Sequence, residues 1–235
     1  MRRAIHAEWG KTWSLRSAWF AVPAAVVLTV FTAMTLANDF RYDIAHHRRP
    51  VTDTLAVLDP LGDAVQLGQL ALIALAMLLV TSEYGTGVIR ATFLARPRRG
   101  DVLLAKTVVG VLVGLAGGLA SGVAGWVATR VVLAEYAAPG AAVPACLRIA
   151  VVGGLACALT VALASVLRSA AGTLTMAFVL LVGLQVLSPP VGDYTPATAA
   201  VKFVADSSWA GLAVLTAWTV AAHVLAHILL ARRDA

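Results

Sequence analysis

Six apolar runs constrain this chain more than any other feature. They are roughly Trp19–Ala37, Val65–Thr81, Thr107–Thr129, Pro144–Leu167, Ala170–Leu187 and Trp209–Leu230. Each is near the ~20 residues that a helix needs to cross a hydrocarbon core. Lipid offers the backbone no hydrogen-bond partners, so spanning segments satisfy their own amides as helices. The spacing therefore predicts an all-α integral membrane protein with six transmembrane helices, one transmembrane domain over residues 1–235. Composition agrees: 60% of residues are hydrophobic, 13% are charged, and mean hydropathy is +0.86. A soluble domain has about a quarter of its residues charged.

The net charge of +6 does not point to nucleic acid, because the charges sit in short blocks between the apolar runs. That distribution is what membrane orientation by basic loops produces. Six spans put both termini on one side. With that side inside, the inner segments hold twelve basic residues: Arg2, Arg3, Lys11, Arg16, Arg90, Arg96, Arg98, Arg99, Lys106, Arg168, Arg232 and Arg233. The outer segments hold six: Arg41, Arg48, Arg49, Arg130, Arg148 and Lys202. The bias predicts cytoplasmic termini and a cytoplasmic connector between the second and third runs.

Residues 1–17 are basic and carry Ile5, Trp9 and Trp13 at a spacing of four, one face of a helix. We expect an amphipathic helix lying at the lipid interface, against the plainer reading of a basic flank to the first span. Cys146 and Cys157 fall in one expected helix; eleven residues apart, they are separated by roughly 16 Å. A disulfide needs Cα atoms within roughly 7 Å, so they do not pair within the chain.

The connector at residues 82–106 is polar among apolar neighbours. With Thr81 it sets Arg90, Arg96, Arg98, Arg99 and Lys106 against Glu83 and Asp101. Such a loop either docks a soluble partner or anchors at anionic lipid heads. Docking is the expectation for Glu83–Arg90; for Arg98 and Arg99 both readings stand, since a basic residue near a lipid surface contributes about 1 kcal/mol.

Within the spans, Gln66 and Gln69 share a face of the second run, and Gln185 lies late in the fifth. Amides in spans act as helix glue or line a polar path, so all three are translocation-path candidates. Gly110, Gly114, Gly118 and Gly122 recur every four residues in the third run. That strip lets another helix approach closely, whether from this chain or from a second copy. The pairs His46/His47 and His223/His227 leave open a metal-binding reading: His46 and His47 are adjacent with no HExxH spacing around them, while His223 and His227, four apart, share a helix face. Ionisable residues deep in the spans are otherwise scarce, which weighs against a secondary transporter.

The chain resembles the permease subunits of ABC-2 type transporters, particularly short actinobacterial members. The resemblance covers essentially the whole length. It is carried by Leu67-Gly68-Gln69-Leu70-Ala71, by Thr81-Ser82-Glu83-Tyr84-Gly85-Thr86-Gly87-Val88-Ile89-Arg90-Ala91-Thr92, by Pro97-Arg98-Arg99-Gly100 and Ala105-Lys106, and by the terminal Leu230–Ala235 run. It implies an ABC-2 permease fold in a bacterial plasma membrane, with an interfacial helix before the first span. A coupling helix would occupy roughly Thr86–Ala95, ended by Pro97. Two permease subunits, as a homodimer, would join two ATPase subunits that hold ATP and Mg. This chain itself would bind no cofactor and catalyse nothing. Glu83, Tyr84, Gly85, Thr86, Gly87, Arg90, Arg96, Arg98 and Arg99 would form the ATPase-docking segment. The cargo class implied is a drug, peptide or lipid-like molecule, exported by alternating access.

Overall fold

A computed structural model describes residues 2–14, 16–50, 52–95, 98–187 and 191–232. Arg96, a candidate docking residue, lies outside the described residues, as do Pro189 and Pro190, which follow the fifth run. Among the described residues the regular structure is helical: α1 Arg2–Ser14, α2 Arg16–Ala45, α3 Leu58–Thr86, α4 Ile89–Ala95, α5 Arg99–Leu133, α6 Ala142–Leu167, α7 Ala170–Leu181, α8 Pro196–Asp206 and α9 Trp209–Arg232.

Five of these, α2, α3, α5, α6 and α9, are long and apolar enough to cross a membrane. The 30 residues of α2 and 35 of α5 reach about 45 and 52 Å, beyond a ~30 Å hydrocarbon core. Their far ends pack together outside the apolar band. Phe40 and Ile44 of α2 join Leu133 of α5 and Val57 in a separate cluster there.

The fifth apolar run departs from the expected simple span. Its helix, α7, has only 12 residues and is followed by a 3-10 turn over Gly183–Val186. At about 1.5 and 2.0 Å per residue the two together cover roughly 26 Å. Gly183 weakens helix continuation at that point. The chain then returns through α8, a short helix with a strongly one-sided apolar face. Thr195 caps α8 by accepting from the Thr198 amide at 3.3 Å, and Pro196 occupies its first turn. Ala199, Ala200, Phe203 and Val204 of α8 join Leu61 and Val65 of α3, Ile149 of α6, Leu181 of α7 and Leu215 of α9 in the largest buried cluster. The segment after the fifth run thus packs back into the bundle as α8.

α6 is the central helix; 78% of its most apolar window is buried, against 22% for α2 and 17% for α9. Lipid does not drive apolar helices together, so close backbone approach must. The glycines of α5 supply it. A Cβ on Gly114 would lie 2.3 Å from the Gly153 carbonyl oxygen of α6, and one on Gly118 would lie 2.9 Å from that of Ile149. Gly110 faces Val161, and Gly122 faces Cys146 and Ile149. The four-residue strip thus packs against α6 of the same chain. A second strip, Gly117 and Gly125, turns toward Leu72 and Leu61 of α3. Cys146 and Cys157 are free and buried on α6.

Candidate functional site

Four charged side chains meet at one end of the bundle. Lys106 of α5 carries three N–H donors, and each has a partner: Glu8 Oε2 of α1 at 2.7 Å, Glu83 Oε1 of α3 at 2.9 Å and the Leu79 carbonyl at 2.8 Å. Lys11 of α1 reaches Glu8 Oε1 and Glu83 Oε1, each at 2.8 Å. The other oxygen of Glu83 accepts from Thr92 Oγ1 of α4 at 3.3 Å. Two cations and two anions balance, which makes their shared burial tolerable.

Side-chain exposure is 4% for Lys106, 9% for Glu83 and 10% for Glu8, but 44% for Lys11. Lys11 is thus the member nearest water. Partial burial by itself lowers its pKa. The hydrogen bonds and charges of Glu8 and Glu83 outweigh that effect, so the net displacement is above the ordinary lysine value.

The sequence places Glu83 on a docking surface, and the geometry places it inside. It is 7% exposed and committed to groups on α1, α4 and α5. Its location follows from the helix it ends. α3 runs unbroken to Thr86 and stops at Gly87, which has φ of +73°, a left-handed conformation that costs glycine little. The expected helix from Thr86 therefore starts three residues later, at Ile89. Gly85, Thr86 and Gly87 are exposed in the connection.

α4 is anchored on one side and open on the other. Ile89 is buried at 5% exposure, and the Arg99 guanidinium stacks over the Phe93 ring at 5.2 Å. Arg90 and Ala91 point outward, and Leu94 is 84% exposed, the highest value among the exposed large hydrophobics. A groove of about 310 Å³ separates α4 and α5 from α1, lined by Ala7, Glu8, Lys11, Ala91, Thr92 and Ala95 among others. A second, about 320 Å³, lies across the Glu8–Lys11 ridge, along Ser82, Glu83, Thr86 and Val88.

The remaining candidates separate. Tyr84 sits under the guanidinium of Arg168 at 5.2 Å, joining the ends of α3 and α6. Arg168 itself adopts φ of +53° to end α6. Arg99 donates to the Leu230 carbonyl of α9 at 3.0 Å, so it too is an internal tie, while Arg98 is exposed. These contacts put α1 and the C-terminal end of α9 at the same end of the bundle.

Gln66 and Gln185 are hydrogen-bonded to each other, joining α3 to the turn after α7. Gln69 is buried, and its amide nitrogen has no hydrogen-bond partner among the described residues. The histidine pairs do not form one metal site. His46 stacks on Tyr42 near the end of α2, where Arg41 bonds the Val132 carbonyl of α5. His223 meets Thr107 of α5 at 2.9 Å. Thr107 and Val132 are about 37 Å apart along that helix.

Glu8, Lys11 and Lys106 are the partners of Glu83 that sequence reasoning did not place among the candidate site residues. One signal was present: Glu8 is the lone acidic residue in the basic segment 1–17. Lys106 stands directly before an apolar run, where it reads as an interfacial flank. No protein-family model matches this chain, and no curated protein matches its sequence.

Proposed function

We propose that this chain is the membrane-spanning permease subunit of an ABC-2 type, ATP-driven exporter. A separate ATPase, in two copies, would hold ATP and Mg and dock at α4. A second permease copy would complete the translocation path. The cargo would be a drug, peptide or lipid-like molecule.

The observation that carries this reading is the two-sidedness of α4. A free lever needs an exposed grip and a rigid root. Leu94, Ala91 and Arg90 supply the grip. The root is Thr92 on Glu83, whose carboxylate also holds Lys11 and Lys106. A push on α4 is thereby delivered to α1, α3 and α5 together, and rigid helices carry it across the membrane as rocking motion. The inner-face excess of basic residues supports a cytoplasmic α4 and cytoplasmic termini in a bacterial plasma membrane. α1 and the C-terminal end of α9 lie at the α4 end of the bundle.

Co-purification of the full chain from its native membrane tests the proposal. An ATPase subunit at one-to-one stoichiometry, with hydrolysis stimulated by the permease, is the expected result. Transport by the purified chain alone, without ATP, would instead establish a secondary transporter.

A further inference from the structure

Three tryptophans gather where α1 turns into α2. Trp13 meets Trp9 edge-on with ring centroids 5.6 Å apart and Trp19 with centroids 5.2 Å apart. The Trp19 indole N–H also donates to the Trp13 carbonyl at 3.1 Å, which fixes the corner. With Val22 of α2 and Leu112 and Ala116 of α5, these rings wall a slot of about 310 Å³ whose lining is entirely apolar or aromatic.

The slot has a direction. Lys106 marks the charged end of α5, and Leu112 and Ala116 lie about 9–15 Å further along that helix. The slot therefore runs from the level of the tryptophans into hydrocarbon depth, and tryptophans sit by preference at the headgroup boundary. Arg16, the first residue of α2, stands between Trp13 and Trp19 in sequence. It is exposed and has no ion pair among the described residues. Lys11, two residues from Trp13 on α1, is committed to Glu8 and Glu83.

We propose that this slot holds one acyl chain of an anionic phospholipid from the surrounding leaflet, with its phosphate paired to Arg16. The walls suit an apolar ligand, and Arg16, exposed at the α1–α2 corner beside them and with no ion pair among the described residues, favours a negative head. A chain seated there braces α1 against α5. Because α1 carries Glu8 and Lys11, leaflet composition then bears on how firmly the charged cluster is held. The proposal stands on the membrane-spanning architecture alone and is independent of the transporter reading.

The test uses the full chain in nanodiscs with Trp126→Phe, Trp209→Phe and Trp218→Phe, leaving Trp9, Trp13 and Trp19 to report. Phosphatidylglycerol or phosphatidylcholine brominated at mid-chain is titrated into unbrominated phosphatidylcholine, and fluorescence quenching is read. Phosphatidylglycerol should quench saturably at about fivefold lower mole fraction, the effect of one basic residue near the surface. Arg16→Gln should remove that difference, and Ala116→Phe should lower quenching by both lipids while helicity is retained. Equal quenching by the two lipids, or a preference that survives Arg16→Gln, would reduce the contact to ordinary surrounding lipid and overturn the proposal. Protection from both lipids would mean that a second copy covers the slot, and would overturn it as well.

Discussion

Lys106 Nζ lies 2.7 Å from Glu8 Oε2, across 98 residues of sequence, and that contact fastens α1 to α5, the third of the long apolar helices. Both groups are buried, so the pair is held by geometry and by Glu83, not by solvent.

Lys106→Met should be among the most damaging single changes at this end. It leaves two buried carboxylates sharing Lys11. Breaking a buried pair by removing one partner costs about 3–5 kcal/mol. Thermal unfolding in detergent, followed by loss of helicity, measures it. Glu8→Gln in the Lys106→Met background should recover part of the loss, with a coupling energy of about 1–3 kcal/mol. Additive effects would show that the two groups do not interact.

Substitution on the outer face of α4 should behave in the opposite way. Leu94→Ala and Arg90→Glu touch nothing buried, so stability should change by no more than about 0.5 kcal/mol. On the transporter reading, stimulation of the ATPase subunit should fall about tenfold, since arginine is enriched among the few side chains that carry most of an interface's binding energy. Unchanged hydrolysis and assembly in both variants would remove α4 as the docking element.

The glycines should divide by what they face. Gly114→Ala drives a Cβ into the Gly153 backbone and should destabilise by about 1–3 kcal/mol, read by thermal unfolding. Gly10→Ala meets nothing within 4 Å and sits mid-helix in α1. It should stabilise by about 0.4–1 kcal/mol. Equal effects at the two positions would contradict the α5–α6 contact.

Alkaline pH should release α1. The folded-state pKa of Lys11 is raised above the ordinary value of 10.5. Its stabilising contribution is therefore complete below that value and lost as pH rises through the elevated folded-state pKa. Emission from Trp9 and Trp13 reports the detachment. Lys11→Arg keeps the charge but does not deprotonate in this range, so the Lys11 component of the transition should disappear. A transition identical in Lys11→Arg would assign it elsewhere.

Much of the fold was legible because lipid imposes a simple rule. Five of the six apolar runs became long helices at nearly the expected places, and α1 appeared where the Ile5, Trp9 and Trp13 spacing put it. The fifth run misled because hydropathy counts apolar residues without weighing where a helix unwinds. Gly183 lies inside an unbroken apolar stretch, yet the chain leaves α-helical geometry there and returns as α8. The candidate site was half legible. Glu83 and the basic connector stood out by contrast with their surroundings, but a carboxylate at a helix end reads the same whether it faces water or a lysine from another helix.

Local chemistry alone determined that this chain is helical, that it belongs in a membrane, and where α3 gives way to a connector, because backbone satisfaction, apolar length and Gly87 act over a few residues. Only the tertiary structure decided that Glu83 turns inward to Lys106, that Glu8 completes the balance, and that the Gly110–Gly122 strip seats α6 of this same chain. Those outcomes depend on which helix lies beside which, and charge pairing and close packing operate through space between residues that the sequence holds far apart.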